Sequence, residues 1–355
     1  MTAAILTLLV GLALSFANGA NDTFKGVATL YGARVSSYRT ALAWAVVATF
    51  AGALLSILAA RALQAKFSGY GLVDPATLGR PRFPAVLAAS AGLTVLLATR
   101  LGMPISTTHA LVGALSGTAL LASPSLGTLA PLGAAFFLPL VLGPLVSLSL
   151  SWAAQRAVRT REPRCLCVAD RATGPTTPTV PALVAGTEAQ CAAVGARQVL
   201  TESGFLRAVH FLSAGAVSFA RGLNDTPKLV GVVAAGGFVS GSASAAIAIG
   251  LAMSLGGIVG SRRIAQRMSR DLTPMSETQG TASNVLTAAL VGAASVFSLP
   301  VSTTHVSCGT IFGLGAARGE LSRRWTAAIA ASWLFTLPAA GLLAVLLWPA
   351  LAFLG

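Results

Sequence analysis

The sequence predicts an all-α integral membrane protein of two inverted-topology repeats, with about 10–12 transmembrane helices that include broken helices or re-entrant hairpins at the midplane. Three observations lead to this fold class: few charges, recurrent apolar runs and an internal repeat. The 355 residues are 10% charged and 55% apolar, whereas a soluble protein usually carries about 25% charged residues. Lipid must therefore replace water around much of this protein.

Apolar runs form two groups around a polar middle segment. Most of them approach the roughly 20 residues that a helix needs to cross the hydrocarbon core. The first group covers 3–20, 40–60, 84–99, 103–122 and 126–153. The second covers 205–220, 228–260, 282–298, 300–316 and 325–354, and 228–260 is long enough for more than one span. We therefore predict a first transmembrane repeat at 1–153, a polar linker at 154–203 and a second repeat at 204–355.

The first apolar run is predicted to be a membrane helix and not a cleaved signal peptide. No basic residue precedes its apolar core. The Asn21-Asp22-Thr23 that follows it also recurs deep in the chain.

Basic residues give the chain a net charge of +14, since 24 Lys and Arg stand against 10 Asp and Glu. They cluster between the apolar runs, as at 61–82, 156–164 and 262–270. Basic loops in such positions are attracted to anionic lipid. We therefore expect membrane lipid and no nucleic acid as a partner, while the succession of basic loops leaves the orientation open.

Two pairs of matching segments indicate an internal duplication. SFANGANDTFK from Ser15 aligns without gaps on SFARGLNDTPK from Ser218, and eight of eleven positions are identical. MPISTTHALVGALSG from Met103 matches LPVSTTHVSCGTIFG from Leu299 in the same order. If each half crosses the membrane an odd number of times, the halves insert in opposite orientations and the substrate site lies near the midplane where they meet.

Asp22 and Asp225 are the acidic residues that the repeat predicts at membrane depth. Each follows an Asn and precedes a Thr, with Gly19 or Gly222 just upstream. A carboxylate in the membrane is costly and marks a functional site, unless it lies at a helix mouth in headgroup water. Gly, Asn and Asp tolerate the backbone of a helix break, and a break at this depth must lie inside protein or face water. We therefore expect each signature to interrupt its helix and line a cavity.

The Ser-Thr-Thr-His signatures follow Pro104 and Pro300, and each proline favours a helix break or start. Their hydroxyls and free backbone amides would then lie at a helix N-terminus, which carries partial positive charge and binds oxyanions. Helix capping and packing is the alternative for a single copy, whereas two copies favour an anion site. The hydroxyl residues are Ser106, Thr107, Thr108, Ser302, Thr303 and Thr304.

Lys25 and Lys228 lie three residues after the aspartates, so a helical turn would place ammonium and carboxylate on neighbouring faces. Such a lysine would neutralise the Asp or attract the anion, unless it snorkels to the interface. His109 and His305 directly follow the threonines. They could titrate with proton movement or donate to the anion, and a neutral histidine that satisfies a backbone carbonyl explains them equally well.

The segments GANDTFKGVATLYG with PISTTHALVGALSG, and GLNDTPK with PVSTTHVSCGTIFG, resemble the inorganic phosphate transporter (PiT) family. The resemblance covers nearly all of the chain outside the polar middle. It implies a secondary phosphate carrier driven by sodium or protons, with inverted repeats and a central site, and some members carry sulfate. The implied substrate-binding residues are Asn21, Asp22, Thr23, Ser106, Thr107, Thr108, Asn224, Asp225, Thr226, Ser302, Thr303 and Thr304.

The chain departs from the commonest family pattern, Asn-Asp-Val-Ala-Asn, because lysine occupies the third position after each Asp. The resemblance makes Asp22 and Asp225 candidate sodium ligands, but a fixed ammonium beside each could take the place of the cation. Glu277 is a candidate ion ligand or gate that would distinguish the two halves, because the first half has no acidic residue at the comparable position. The alternative is an ordinary glutamate in a loop. The coupling-ion or gating candidates are Asp22, Asp225, Lys25, Lys228, Glu277, His109 and His305.

These expectations describe a phosphate symporter of the cell membrane that binds phosphate and a coupling cation, sodium or proton, and needs no other cofactor. No phosphate-binding loop for ATP is present, so an ion gradient must supply the energy. A sulfate permease and a passive anion channel are the alternatives, and a homodimer is left open. An intramembrane hydrolase that uses Ser106 or Ser302 is disfavoured because the sequence lacks a nucleophile elbow, so we do not expect an enzyme.

The four cysteines match no metal-binding pattern. Cys165, Cys167 and Cys191 lie in the polar segment without a nearby His, and Cys308 lies in an apolar run. We expect reduced thiols without a ligand role. The run GPTTPTVP predicts that the polar segment is a flexible linker.

Overall fold

The computed structural model describes residues 2–59, 61–122, 126–157, 164–171, 180–193, 197–236 and 243–354. In the first half the helices are α1 (Thr2–Asp22), α2 (Ala28–Gly32), α3 (Tyr38–Ala59), α4 (Arg61–Phe67), α5 (Pro75–Leu78), α6 (Phe83–Arg100), α7 (Thr107–Ala122), α8 (Ala130–Leu132) and α9 (Leu138–Ala157). Short 3₁₀ segments cover Thr23–Val27 and Leu126–Leu129, and a π turn covers Gly133–Phe137.

The polar segment contains β1 (Arg164–Arg171), β2 (Val180–Thr187), α10 (Glu188–Ala193) and β3 (Arg197–Thr201). In the second half the helices are α11 (Glu202–Ala234), α12 (Ala243–Gly260), α13 (Arg262–Gln266), α14 (Glu277–Val296), α15 (Thr303–Arg318) and α16 (Arg323–Ala350). A π turn covers Arg267–Asp271, and a 3₁₀ turn covers Ala352–Leu354.

Six helical stretches of the described residues are long and apolar enough to cross a membrane, so this is a multi-pass membrane protein of helical fold, as predicted. They are Ala3–Gly32, Tyr38–Ile57, Phe83–Arg100, Ala130–Ala157, Ala243–Gly260 and Arg323–Ala350. α7 and α15 have 16 residues each, which is shorter than the roughly 20 that a full crossing requires. Each of these two short helices forms the second arm of a helical hairpin, after α6 or α14.

The two halves interlock, because equivalent helices exchange partners between them. α1 packs on α12, and its repeat counterpart α11 packs on α3. In the same way α7 packs on α16, and α15 packs on α9. Within each half α1 contacts α6, and α11 contacts α14. The four helices that carry the sequence signatures therefore lie at the contact between the halves. The inverted orientation of the two halves stays a prediction.

Gly19 and Gly222 permit the close approach of two of these helix pairs. A methyl group on Gly19 would overlap the backbone carbonyl of Met253 in α12, and one on Gly222 would overlap that of Thr49 in α3. Both glycines lie inside α-helix. Small residues let helix backbones approach in this way, so these glycines serve helix packing rather than the helix break that the sequence predicted.

The prediction of a flexible linker is wrong for its described part. β1 pairs antiparallel with both β2 and β3, which gives a three-stranded sheet in the order β2-β1-β3. α10 follows β2 directly, and β3 ends at Thr201, whose hydroxyl caps α11 by accepting a hydrogen bond from the Gly204 amide at 3.0 Å. The run GPTTPTVP was the basis of the prediction, and most of it lies outside the described residues.

Candidate functional site

The two Asn-Asp-Thr copies lie on different backbones. α1 ends at Asp22 and continues as the 3₁₀ segment Thr23–Val27 before α2 begins, so the predicted helix break is confirmed in the first repeat. In the second repeat α11 runs without interruption from Glu202 to Ala234, with Pro227 inside it. The predicted break is therefore wrong there, since the buried helix tolerates the missing amide of a single proline.

The first ion pair joins Lys25 to Asp22. The Lys25 ammonium also donates to Asn21 Oδ1 at 2.8 Å and to the backbone oxygen of Ile105 at 2.9 Å. Its fourth partner is Thr304 Oγ1 of the other repeat, at 2.6 Å. The ammonium is thus held entirely by oxygen atoms that the two halves supply together.

Hydrogen-bond donors surround the Asp22 carboxylate on its remaining sides. Its Oδ2 accepts from Asn18 Nδ2 at 3.0 Å and from Thr107 Oγ1 at 3.3 Å. Thr304 Oγ1 approaches Oδ1 at 3.4 Å. Asn21 connects the Asp22–Lys25 pair to the tip of the first hairpin, the segment between α6 and α7, because Asn21 Oδ1 accepts a hydrogen bond from the Ile105 amide at 3.1 Å.

The second ion pair repeats this pattern with the halves exchanged. The Lys228 ammonium donates to Asp225 Oδ1 at 3.1 Å, to the backbone oxygen of Val301 at 3.0 Å and to Thr108 Oγ1 of the first repeat at 2.9 Å. Thr303 Oγ1 lies 3.5 Å from Asp225 Oδ2. Each lysine therefore crosses to a threonine of the opposite repeat, and each Asp contacts a threonine of its own.

The hairpin tips present helix N-termini to these ion pairs. α7 begins at Thr107 and α15 begins at Thr303, which confirms the predicted helix starts after the two prolines. Ser106 Oγ accepts from the His109 amide at 3.1 Å, and Ser302 Oγ accepts from the His305 amide at 3.2 Å. The serines therefore cap their own helices, and the threonines are the hydroxyls that contact the charged groups.

Arg221 and Asn18 also belong to this cluster, although the sequence analysis missed them. They occupy the same position of the two repeat copies, and Arg221 Nη2 donates to Asn18 Oδ1 at 3.0 Å. Arg221 Nε lies 3.6 Å from Asp225 Oδ2, and only 2% of the residue is exposed. A signal was available, since this is the one non-identical position of the alignment at which a charged residue replaces a neutral one.

Several predicted residues take no part in the contacts between the ion pairs and the hairpin tips. Glu277 is the first residue of α14, and its carboxylate interacts electrostatically with Arg207 rather than with the groups around either Asp. The ring centroids of His109 and His305 lie 4.3 Å apart and face an apolar groove, where the His305 ring packs against that of Trp333 with a tilt of 33° and centroids 3.9 Å apart.

The two threonines that follow the aspartates differ. Thr23 Oγ1 accepts a long hydrogen bond of 3.4 Å from Arg221. Thr226 Oγ1 is buried, and no hydrogen-bond partner exists for it among the described residues. The side-chain oxygen of Asn224 is likewise buried and has no hydrogen-bond partner among the described residues.

The charges of the site do not cancel. Three cations, Lys25, Lys228 and Arg221, stand against two carboxylates, Asp22 and Asp225, which leaves one excess positive charge. All predicted substrate-binding residues are buried, with at most 6% of any of them exposed. Charges interact far more strongly in such surroundings than in water, so the excess positive charge is a strong local electrostatic feature of the site.

Comparisons with known proteins identify the family of this chain. A family model described as the phosphate transporter family matches residues 18–344. A "Probable low-affinity inorganic phosphate transporter" of Rhizobium meliloti is 29% identical over 96% of this chain and 93% of its own length. One of the same description from Mycobacterium tuberculosis is 27% identical over 99% of this chain and 78% of its own length.

A solved structure titled "The sodium-dependent phosphate transporter" has the same fold. It superposes with a TM-score of 0.77 and 22% identity over 99% of this chain and all of that one. Neither the family nor these relatives are enzymes; they are described as transporters. Because the family model matches residues 18–344, which are most of this chain, the chain belongs to the phosphate transporter family.

Proposed function

We propose that the protein carries inorganic phosphate across the cell membrane as a secondary active symporter driven by the proton gradient. The single observation that carries this proposal is the buried cluster of two Asp-Lys ion pairs, which threonines from both hairpin tips contact and to which Arg221 adds one excess positive charge. Family membership supports phosphate as the substrate.

The excess charge and the hydroxyls suit a tetrahedral oxyanion. Hydrogen bonds from Lys and Arg to phosphate oxygens are charge-assisted and are about twice as strong as neutral ones. Arg221 would supply such a bond, and Lys25 and Lys228 would each supply one by exchanging a present oxygen partner for a phosphate oxygen. The threonines at the starts of α7 and α15 would add hydroxyl donors at the positive helix ends. The serines stay occupied by their capping bonds.

The aspartates favour phosphate over sulfate. Hydrogen phosphate can donate a proton to a carboxylate, whereas sulfate has none to donate at neutral pH. A carboxylate oxygen that faces sulfate would meet an oxygen with no proton between them, and a hydrogen bond that cannot form between two buried acceptors costs about 1–3 kcal/mol. Asp22 or Asp225 would therefore reject the isostere, in the way that polar sites reject analogues lacking a donor.

The lysines favour protons over sodium as the coupling ion. Hard cations need several oxygen ligands, and the oxygens around Asp22 already hold the Lys25 ammonium. The Asp225 carboxylate likewise faces Lys228 and Arg221. A sodium ion would have to displace a lysine in each copy. A proton that arrives with phosphate needs no such space.

Uptake of labelled phosphate into proteoliposomes tests the coupling. We expect a proton gradient alone, at equal sodium on both sides, to drive accumulation above the external concentration. A sodium gradient at equal pH should drive none. Accumulation under sodium alone would contradict proton coupling. Phosphate that equilibrates under every gradient, without accumulation, would indicate a passive channel.

Competition with sulfate tests the substrate. We expect phosphate uptake to persist in about a tenfold excess of sulfate, because the missing hydrogen bond to a carboxylate penalises sulfate by up to about 3 kcal/mol, whereas a factor of ten corresponds to about 1.4 kcal/mol. Equal competition by the two anions would remove the argument from the aspartates and would favour the sulfate permease. The Asp22→Asn variant, reconstituted in parallel, gives the background of the assay.

A further inference from the structure

The small sheet domain between the repeats has a core of cysteine. In its described part Cys165, Cys167 and Cys191 form a buried cluster of their own and are 5%, 1% and 2% exposed. The apolar residues of its strands lie outside, as Leu183 at 64% and Val199 at 53% exposed illustrate. A domain below about 40 residues cannot bury enough apolar surface and usually needs disulfides or a metal.

The backbone brings the three sulfurs together from two elements. Cys165 and Cys167 are two residues apart in β1, so their side chains share one face of the sheet. Cys191 lies on α10, which follows β2 and contacts β1. All three sulfur atoms lie within 4.8 Å of one another. They converge on one point, which the spacing in the sequence did not indicate.

A disulfide bond would join only two of these three sulfur atoms. Cys191 lies within bonding reach of both other cysteines, but one sulfur forms only one disulfide bond, so the third thiol would stay buried beside it. The Cα atoms of Cys165 and Cys191 are 7.2 Å apart, beyond the usual disulfide range of about 4.4–6.8 Å. Those of Cys167 and Cys191, at 6.4 Å, fall inside it.

We propose that Cys165, Cys167 and Cys191 bind one thiophilic metal ion, Zn²⁺ or Cu⁺, through three thiolates. Soft sulfur ligands select these ions. Cu⁺ would be satisfied by the three sulfurs, and Zn²⁺ would keep a fourth position for water or another ligand. The three thiols lose their protons to the solvent as the metal–sulfur bonds form.

The metal would fix the junction between this domain and the second repeat. Glu202 Oε2 accepts from the Arg164 amide at 2.9 Å, and Glu188 Oε1 accepts from the Ser203 amide at 2.9 Å. These bonds join β1 and α10, the two elements that carry the cysteines, to the first turn of α11. The ion therefore orders a cap at the start of the helix that carries Asp225 and Lys228.

Metal content of the full-length protein tests the proposal. The chain is purified in detergent with a reductant and without oxygen, incubated with Zn²⁺ or with Cu⁺ in separate samples, desalted and analysed for metal. We expect one ion per chain for one of the two metals. Cys165→Ser, Cys167→Ser and Cys191→Ser should each lower retention by at least about tenfold. Cys308→Ala is the matched control, since this remaining cysteine is buried in α15, and it should retain the metal.

Alkylation and mass spectrometry separate the metal site from a disulfide without relying on the folding of a variant. In the loaded wild-type chain all three thiols should resist alkylation and become reactive once a chelator removes the ion. A chain that retains neither metal, or that shows a Cys191 disulfide as its stable form in the presence of the ions, would overturn the proposal. Retention unchanged in the three serine variants would do so as well.

Discussion

In the first repeat the helix ends at Asp22, whereas in the second repeat it continues through Asp225. The two aspartates nevertheless bind equivalent lysines and equivalent threonines. The main chemical difference lies one turn earlier, where Asn18 stands in one copy and Arg221 in the other. The duplication thus preserved the ion pairs and the hairpin tips, while the backbone and the net charge diverged.

This difference assigns separate roles to the two copies. The first copy is neutral, since Asp22 is matched by Lys25 alone, and its α-helix gives way to a 3₁₀ segment after the carboxylate. The second copy carries the excess positive charge on a continuous helix. We therefore expect the second copy to dominate anion affinity.

Removal of the carboxylates should have the largest effect. Asp225→Asn leaves both Lys228 and Arg221 buried without a counter-ion, whereas Asp22→Asn leaves only Lys25. Breaking a buried ion pair costs about 3–5 kcal/mol, so we expect phosphate uptake to fall at least about 100-fold in both variants, and further in Asp225→Asn.

Initial rates in proteoliposomes, normalised to protein, measure this loss. Glu320→Gln is the matched control, because its ion pair with Arg318 is exposed and such pairs contribute little. If Asp225→Asn transported within about twofold of the parent chain, the ion pair would not belong to the transport site.

Replacement of the arginine should have the next largest effect. Arg221→Asn makes the second copy match the first and removes the excess charge. A hydrogen bond to a charged group contributes about 1.5–3 kcal/mol, so we expect the KM for phosphate to rise roughly 10–100-fold. Arg221→Lys keeps the charge and should raise it less. An unchanged KM in Arg221→Asn would show that the divergence of the two copies has no part in anion binding.

The threonines that cross between the repeats should have smaller and equal effects. Thr304→Val removes one partner of Lys25, and Thr108→Val removes one partner of Lys228. Each lysine keeps its Asp and a backbone carbonyl, so we expect about a fivefold loss of uptake in either variant, the equivalent of about 1 kcal/mol. The serine variants at both positions should retain the parent rate. A large loss in one variant alone would mean that the two halves contribute unequally here as well.

Much of the site could be predicted because its signals are local and duplicated. The three-residue spacing of Asp22 and Lys25 fixes their contact on a helical turn, and Pro300 with Ser302 fixes the start of α15. The continuity of α11 through Pro227 could not be predicted, since it depends on the helices packed around it. The exchange of helix partners between the halves is likewise a long-range property.

The sheet domain escaped prediction for a different reason. The side chains that β1 buries against α10 are Cys165 and Cys167 rather than a periodic set of large apolar residues. Hydrophobic periodicity is the main sequence signal for a strand, and it is weak where sulfur fills the core. Cys191 lies 24 residues beyond Cys167, too far for spacing alone to connect them.

The histidines should have the smallest effect, although the repeat conserves them as strictly as the threonines. His109 and His305 contact each other and Trp333 on the apolar side of the hairpin tips, and Trp333 in turn donates to the Pro104 carbonyl at 3.0 Å. Phenylalanine can keep these ring contacts, since aromatic pairs depend on geometry more than on a titrating nitrogen. We expect His109→Phe and His305→Phe to transport within about twofold of the parent chain, less than 1 kcal/mol, with the same dependence on pH between pH 5 and 8, where a free histidine would titrate. Uptake measured across that range decides the matter, because a shifted pH profile in either variant would move the proton path from the aspartates to the imidazoles.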